Sequence, residues 1–162
     1  DIDAFVGLSG PYDISHHFDY EAARGVEELS PMKAANEYSR ERFEWNSPAR
    51  RLKQFLRSFQ EDSIPMDNYF PSCVLVHGIE DDTVPFTSTA ETAQTLRMCG
   101  LSEVDEIYVP ATAHQDTAVH FMTGGPTVPS VMEWLSRRSK VPPKKMRSTT
   151  PTGAVLANDN VA

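Results

Sequence analysis

Three short, almost unbroken apolar runs punctuate a chain whose remaining apolar residues recur every three or four positions. Ile2-Asp3-Ala4-Phe5-Val6-Gly7-Leu8, Cys73-Val74-Leu75-Val76 and Val104-Asp105-Glu106-Ile107-Tyr108-Val109 each have strand length, and turn signals follow them at Gly10-Pro11, His77-Gly78 and Pro110. Ser47-Pro48 predicts a helix start, with Ser as N-cap and Pro at the first helical position. Leu52, Phe55, Leu56 and Phe59 then fall on one face of that helix. Ser88-Thr89-Ala90-Glu91 has the form of a capping box; Ala93 and Leu96 line the helix it opens, and Gly100 stops it. Val128, Val131, Met132 and Leu135 mark a last amphipathic helix. Between His16 and Asn46 the pattern is polar and weakly periodic, which predicts excursions and short helices. From Lys140 onward Pro, Lys, Thr and small residues predict a tail without regular structure.

The order is strand, long excursion with a helix, strand, helix, strand, helix. Such alternation predicts an α/β unit with a mostly parallel sheet covered on both faces. We expect residues 1–139 to form it, with 15–70 as a helical cover and 140–162 as a separate basic tail. The first strand begins at the very start of the chain, so the expectation is a C-terminal portion of a larger fold.

Composition narrows the classes. Of 162 residues 40% are hydrophobic, enough for a core, and no apolar run approaches the ~20 residues that span a bilayer. The net charge of −8 is uneven: six of the 15 basic residues lie between Arg137 and Arg147, leaving nine basic against 22 acidic residues up to Ser136. That acidic body argues against nucleic-acid binding. The basic cluster reads as a solvated tail, or more sharply as a weak contact with an anionic membrane surface. Cys73 and Cys99 sit in apolar contexts and read as buried free thiols, in keeping with a reducing, intracellular setting.

Candidate chemistry gathers in two loops that follow strands, His77-Gly78-Ile79-Glu80-Asp81-Asp82-Thr83-Val84-Pro85 and Pro110-Ala111-Thr112-Ala113-His114-Gln115-Asp116. In a parallel sheet both lie at the same edge. There a carboxylate can orient an imidazole that takes a proton from a nucleophile.

His77-Gly78-x-x-Asp81-x-x-Val84-Pro85, followed by a helix, a strand and the His114 loop, resembles the C-terminal part of α/β-hydrolase esterases. Ser9-Gly10-Pro11-Tyr12-Asp13-Ile14 with a His-rich stretch and Arg24-Gly25 resembles the isoprenylcysteine methylesterase group and the related carboxylesterase and kynurenine-formamidase branch. The resemblance covers about residues 1 to 125. It implies a partial α/β-hydrolase fold, Asp81 as triad acid and His114 as triad base, a small-molecule ester substrate, and no cofactor. It also implies a Gly-x-Ser-x-Gly elbow and an oxyanion-hole motif upstream of the segment resembling Ile2 to Ile14; this sequence contains neither. The family branches leave ester and amide or formamide hydrolysis open, and a non-catalytic binding or scaffold domain is the alternative from another class.

Other residues carry plainer readings. Ser9 precedes Asp81 and His114 in triad order, but Pro11 replaces the second elbow Gly, and Tyr12 to His17 do not read as a helix packed on the sheet. A tight turn ending a strand is preferred. His77 reads as structural, and His16, His17 and His120 as surface or cap residues. Glu80-Asp81-Asp82 lacks the alternation and distal Glu of a calcium loop.

Overall fold

The computed structural model describes residues 2–62, 67 and 69–138. The expected tail from Lys140 lies outside the described residues, and of Phe55 and Phe59 only the backbone is described. The elements run β1 (Ala4–Leu8), α1 (Ile14–Ala23), a 3-10 turn (Glu27–Leu29), α2 (Pro31–Ala35), α3 (Arg40–Asn46), α4 (Pro48–Asp62), β2 (Ser72–Gly78), α5 (Thr87–Met98), β3 (Val104–Val109), α6 (His114–Thr123) and α7 (Thr127–Arg138).

The strands form one parallel sheet in the order β1-β2-β3, with Val6 beside Val74 and Val76 beside Ile107. β2 is central, which explains its uninterrupted apolar run. Successive side chains point to opposite faces, and both faces are covered. Cys73 and Leu75 pack with Leu52 of α4 and with Ala93 and Leu96 of α5, while Val74 and Val76 pack with Val131 and Trp134 of α7. Trp134 is 1% exposed and its Nε1 donates to Asp105 Oδ2 at 2.6 Å, so the indole is buried without stranding its donor.

The structure corrects several local expectations. β1 is shorter than the apolar run, and Ile2 and Phe5 are exposed; β1 has β2 on one side and no strand on the other among the described residues. The stripe on α7 turns on Val131 and Trp134, whereas Met132 is exposed. α5 starts at Thr87, ahead of the supposed capping box. The Ser88 hydroxyl instead donates to Gly10 O at 3.1 Å and accepts from Tyr12 N at 3.3 Å, fastening the turn after β1 to α5. Ser47 does precede α4, but its hydroxyl donates to Phe43 O at 2.5 Å and accepts from Ile14 N at 2.8 Å. Long-range partners outcompete the local cap at both serines.

Tyr12 to His17 enter a helix whose main contacts are with α2, α3 and the 3-10 turn, in keeping with the expectation that this stretch is not a helix packed on the sheet. Asp13 is an N-cap, its carboxylate accepting from His16 N at 3.1 Å, and α1 follows directly. Arg50 Nε donates to the same carboxylate at 2.9 Å. α1 therefore leaves β1 as a capped helix anchored to α4.

Candidate active site

The site is built where β2 and β3 end. Gly78 closes β2, and a Cβ placed there would lie 2.1 Å from Thr112 O. Only glycine allows that approach. Ile79 N donates to Val109 O at 3.0 Å and Glu80 N to Thr112 O at 3.2 Å, so the two loops are laced together by backbone. Ala111 takes a left-handed conformation (φ 49) in the turn after β3. His114 then opens α6, where a loop residue was expected. The Asp116 carboxylate accepts from Ala113 N at 3.2 Å and starts that helix, a local signal the apolar pattern does not carry.

Between Glu80 and Asp82, both exposed, Asp81 points inward and is 6% exposed. Its Oδ1 accepts from Thr83 N at 3.0 Å and Val84 N at 2.8 Å, an Asx-type turn that fixes the carboxylate by its own loop. Its Oδ2 lies 2.8 Å from His114 Nδ1 and 3.1 Å from His77 Nε2. Burial by itself pushes Asp81 up. The hydrogen bonds from His77, the Val84 amide and His114, with the charge of His114, outweigh it and bring the carboxyl down to about 2.

The two predicted site residues thus meet. Nδ1 of His114 faces an oxygen that can only accept, so it carries the proton. Nε2 has no hydrogen-bond partner among the described residues, and the side chain is 32% exposed. A carboxylate-oriented imidazole with a free, reachable nitrogen is equipped to take a proton from a nucleophile and return it to a leaving group.

α1 packs beside this pair. Tyr20 Oη donates to Asp82 O at 3.2 Å, and Arg24 Nη1 donates to the same carbonyl. On the same helix face, His17 is 5% exposed and 3.4 Å from Glu21 Oε1. The surface reading of His17 is therefore wrong: α1 turns it toward the acid loop. Burial pushes His17 down, Glu21 pulls it back up, and it lies near enough to His114 and Asp81 to feel both charges. Its spacing from Tyr20, Glu21 and Arg24 was the available sequence signal.

Ser9 makes no hydrogen bond to Asp81 or His114 among the described residues. It is 4% exposed and left-handed (φ 46), and its hydroxyl donates to Thr117 Oγ1 at 2.9 Å. That bond ties the end of β1 to α6 one turn beyond His114. Among the described residues no group of three or more His, Cys, Asp or Glu side chains is arranged to hold a metal ion. No described helix is long and apolar enough to cross a membrane.

No family model matches the chain, and no curated protein matches it. Among solved structures, a truncated form of a carbohydrate esterase from gut microbiota matches with a TM-score of 0.55 at 17% identity. The match covers 86% of this chain and 44% of the other, so the chain spans less than half of that esterase's length. At this identity the likeness shows the fold: a parallel α/β sheet with flanking helices, as in that esterase.

Proposed function

We propose that this chain is the acid-and-histidine portion of a serine hydrolase that cleaves a carboxylic ester by acyl transfer. The observation that carries the reading is the bond from His114 Nδ1 to Asp81 Oδ2 at 2.8 Å, with the other carboxylate oxygen held by two backbone amides. In this reading a serine on the remaining part of the fold attacks the ester carbonyl and passes its proton to His114 Nε2. Asp81 stabilises the imidazolium, which protonates the departing alcohol; water then releases the acid by the same relay. The likeness to an esterase over 44% of its length supports placing the serine and the oxyanion donors on the other part of the domain.

The resemblance of Ser9 to Ile14 and the acid loop to the isoprenylcysteine methylesterase group favours a small ester such as a prenylcysteine methyl ester. The solved neighbour brings acylated carbohydrates into the same test. The assay sets p-nitrophenyl esters, prenylcysteine methyl ester and acetylated sugars against the complete polypeptide and against residues 1–162 alone. Turnover is expected from the complete polypeptide, abolished by His114→Ala and indifferent to Ser9→Ala, and absent from residues 1–162. Turnover by 1–162 that vanishes with Ser9→Ala would make Ser9 the nucleophile. A complete polypeptide that turns over equally well with His114→Ala refutes the triad reading, and cleavage of formamides in preference to esters moves the enzyme to the amidase branch.

A further inference from the structure

A second imidazole faces the Asp81 carboxylate, and the acyl-transfer scheme leaves it unused. His77, near the end of β2, is 0% exposed. Its Nε2 lies 2.9 Å from Val84 O and 3.1 Å from Asp81 Oδ2, and both of these only accept, so Nε2 carries a proton shared between them. Its Nδ1 lies 2.7 Å from the hydroxyl of Thr89 on α5, which can donate to it. The ring is therefore specified at both nitrogens, and α5 sets its tautomer.

An ionised carboxylate has about four lone-pair directions. At Asp81 they are met by Thr83 N and Val84 N on one oxygen and by His77 Nε2 and His114 Nδ1 on the other. The two amides belong to the same loop and hold Oδ1. They leave the carboxylate free to roll about the Cβ–Cγ bond by the little that decides where Oδ2 points. His77 Nε2–H supplies the missing constraint from the rigid central strand. It also competes with His114 for the same oxygen, which tempers the pull of Asp81 on the catalytic ring.

We propose that His77 is a positioning residue: with Thr89 behind it, it fixes the Asp81 carboxylate so that Oδ2 meets His114 Nδ1, and it moderates how strongly Asp81 holds the His114 imidazolium. The proposal rests on the ester-hydrolase reading of Asp81 and His114. Among the described residues His17 of α1 lies near enough to feel both members of the pair, with Glu21 beside it, and the test leaves both in place.

Three variants of the complete polypeptide test it. His77→Leu removes the donor. His77→Gln offers an amide N–H near the Nε2 position. Thr89→Val keeps the imidazole but removes the hydroxyl that sets its tautomer. Each is measured for turnover as a function of pH and, by proton NMR, for the downfield resonance of the His114 Nδ1 proton. His77→Leu should lose roughly 10- to 100-fold in kcat/KM, the size that outer hydrogen-bond partners of metal-bound histidines carry. The acidic limb of its profile should move to higher pH, because Asp81 without the second donor holds the imidazolium more strongly. His77→Gln should recover most of the loss, and Thr89→Val should show a smaller shift in the same direction. A folded His77→Leu with the wild-type limb and resonance overturns the proposal. If His77→Leu does not fold, an unmoved limb and resonance in both His77→Gln and Thr89→Val overturn it instead. Absence of any His114-dependent turnover in the wild type strikes the ester-hydrolase reading, while the resonance still decides whether His77 and Thr89 position the pair.

Discussion

Replacing Asp81 by Asn changes one oxygen to an amide nitrogen with almost no change of shape, so its consequences can be worked from four distances. The Thr83 and Val84 amides, at 3.0 and 2.8 Å, are fixed donors and will take the Asn carbonyl. The new NH2 must then stand where Oδ2 stood, facing His114 Nδ1 at 2.8 Å and His77 Nε2 at 3.1 Å, both of which carry protons in the wild type. His114 can answer by moving its proton to Nε2, which leaves no base to face the nucleophile. In a serine protease this exchange costs about 10⁴ in kcat, and a loss of that order is expected here.

Stability should fall as well. Holding Asp81 at about 2 instead of 3.8 corresponds to about 2 kcal/mol. A buried donor facing a donor adds roughly 1–3 kcal/mol. The carboxyl is held lower in the folded chain than in the unfolded one. Its contribution is therefore complete above the unfolded value of 3.8 and fades as the pH falls through about 2. Urea unfolding of wild type and Asp81→Asn, followed downward from pH 6, should show a gap that is constant near neutrality and narrows below about pH 4. A gap independent of pH, or an Asn variant with near-wild-type kcat, would refute the reasoning.

Other outcomes follow from the same geometry. Gly78→Ala should lower the melting temperature and the turnover together, because its Cβ would sit 2.1 Å from Thr112 O and only backbone could move; thermal unfolding beside an ester assay checks it, and an unchanged enzyme refutes it. Burial pushes the Cys73 thiol up to about 11, with Arg138 drawing it slightly back, and burial also raises Cys99. Neither should react with a thiol reagent at pH 8 until denaturant is added, and rapid native labelling of either would show a loosely packed core. Residues 1–162 alone should self-associate through the outer edge of β1, which has no partner strand among the described residues; a concentration-independent monomer in sedimentation velocity would refute this.

The strands were legible because their causes are local: three apolar runs of strand length needed only periodicity to be placed. Asp81 was singled out between Glu80 and Asp82 by resemblance, through the register of the family motif that His77-Gly78 and Val84-Pro85 match. The hydroxyls of Ser47 and Ser88 were misread because a serine at or near a helix start looks like a cap whether or not a distant backbone group claims it first. α6 was missed because its start depends on Asp116 reaching back to Ala113, with little amphipathic pattern behind it. His17 was misplaced for a related reason: α1 is weakly amphipathic, so its own pattern does not say which side is buried.

Sequence alone determined the α/β alternation, the order acid then histidine, and the identity of the two side chains. Their bond at 2.8 Å was decided by tertiary structure, through a parallel sheet that ends both strands at one edge and a glycine that lets Thr112 O come close. So was the role of His77, whose two nitrogens find Thr89 twelve residues away and Val84 seven residues away across a turn. A hydrogen bond between elements depends on where the backbone carries each partner. Periodicity reports which way a residue faces within its own element, and only packing decides what it meets there.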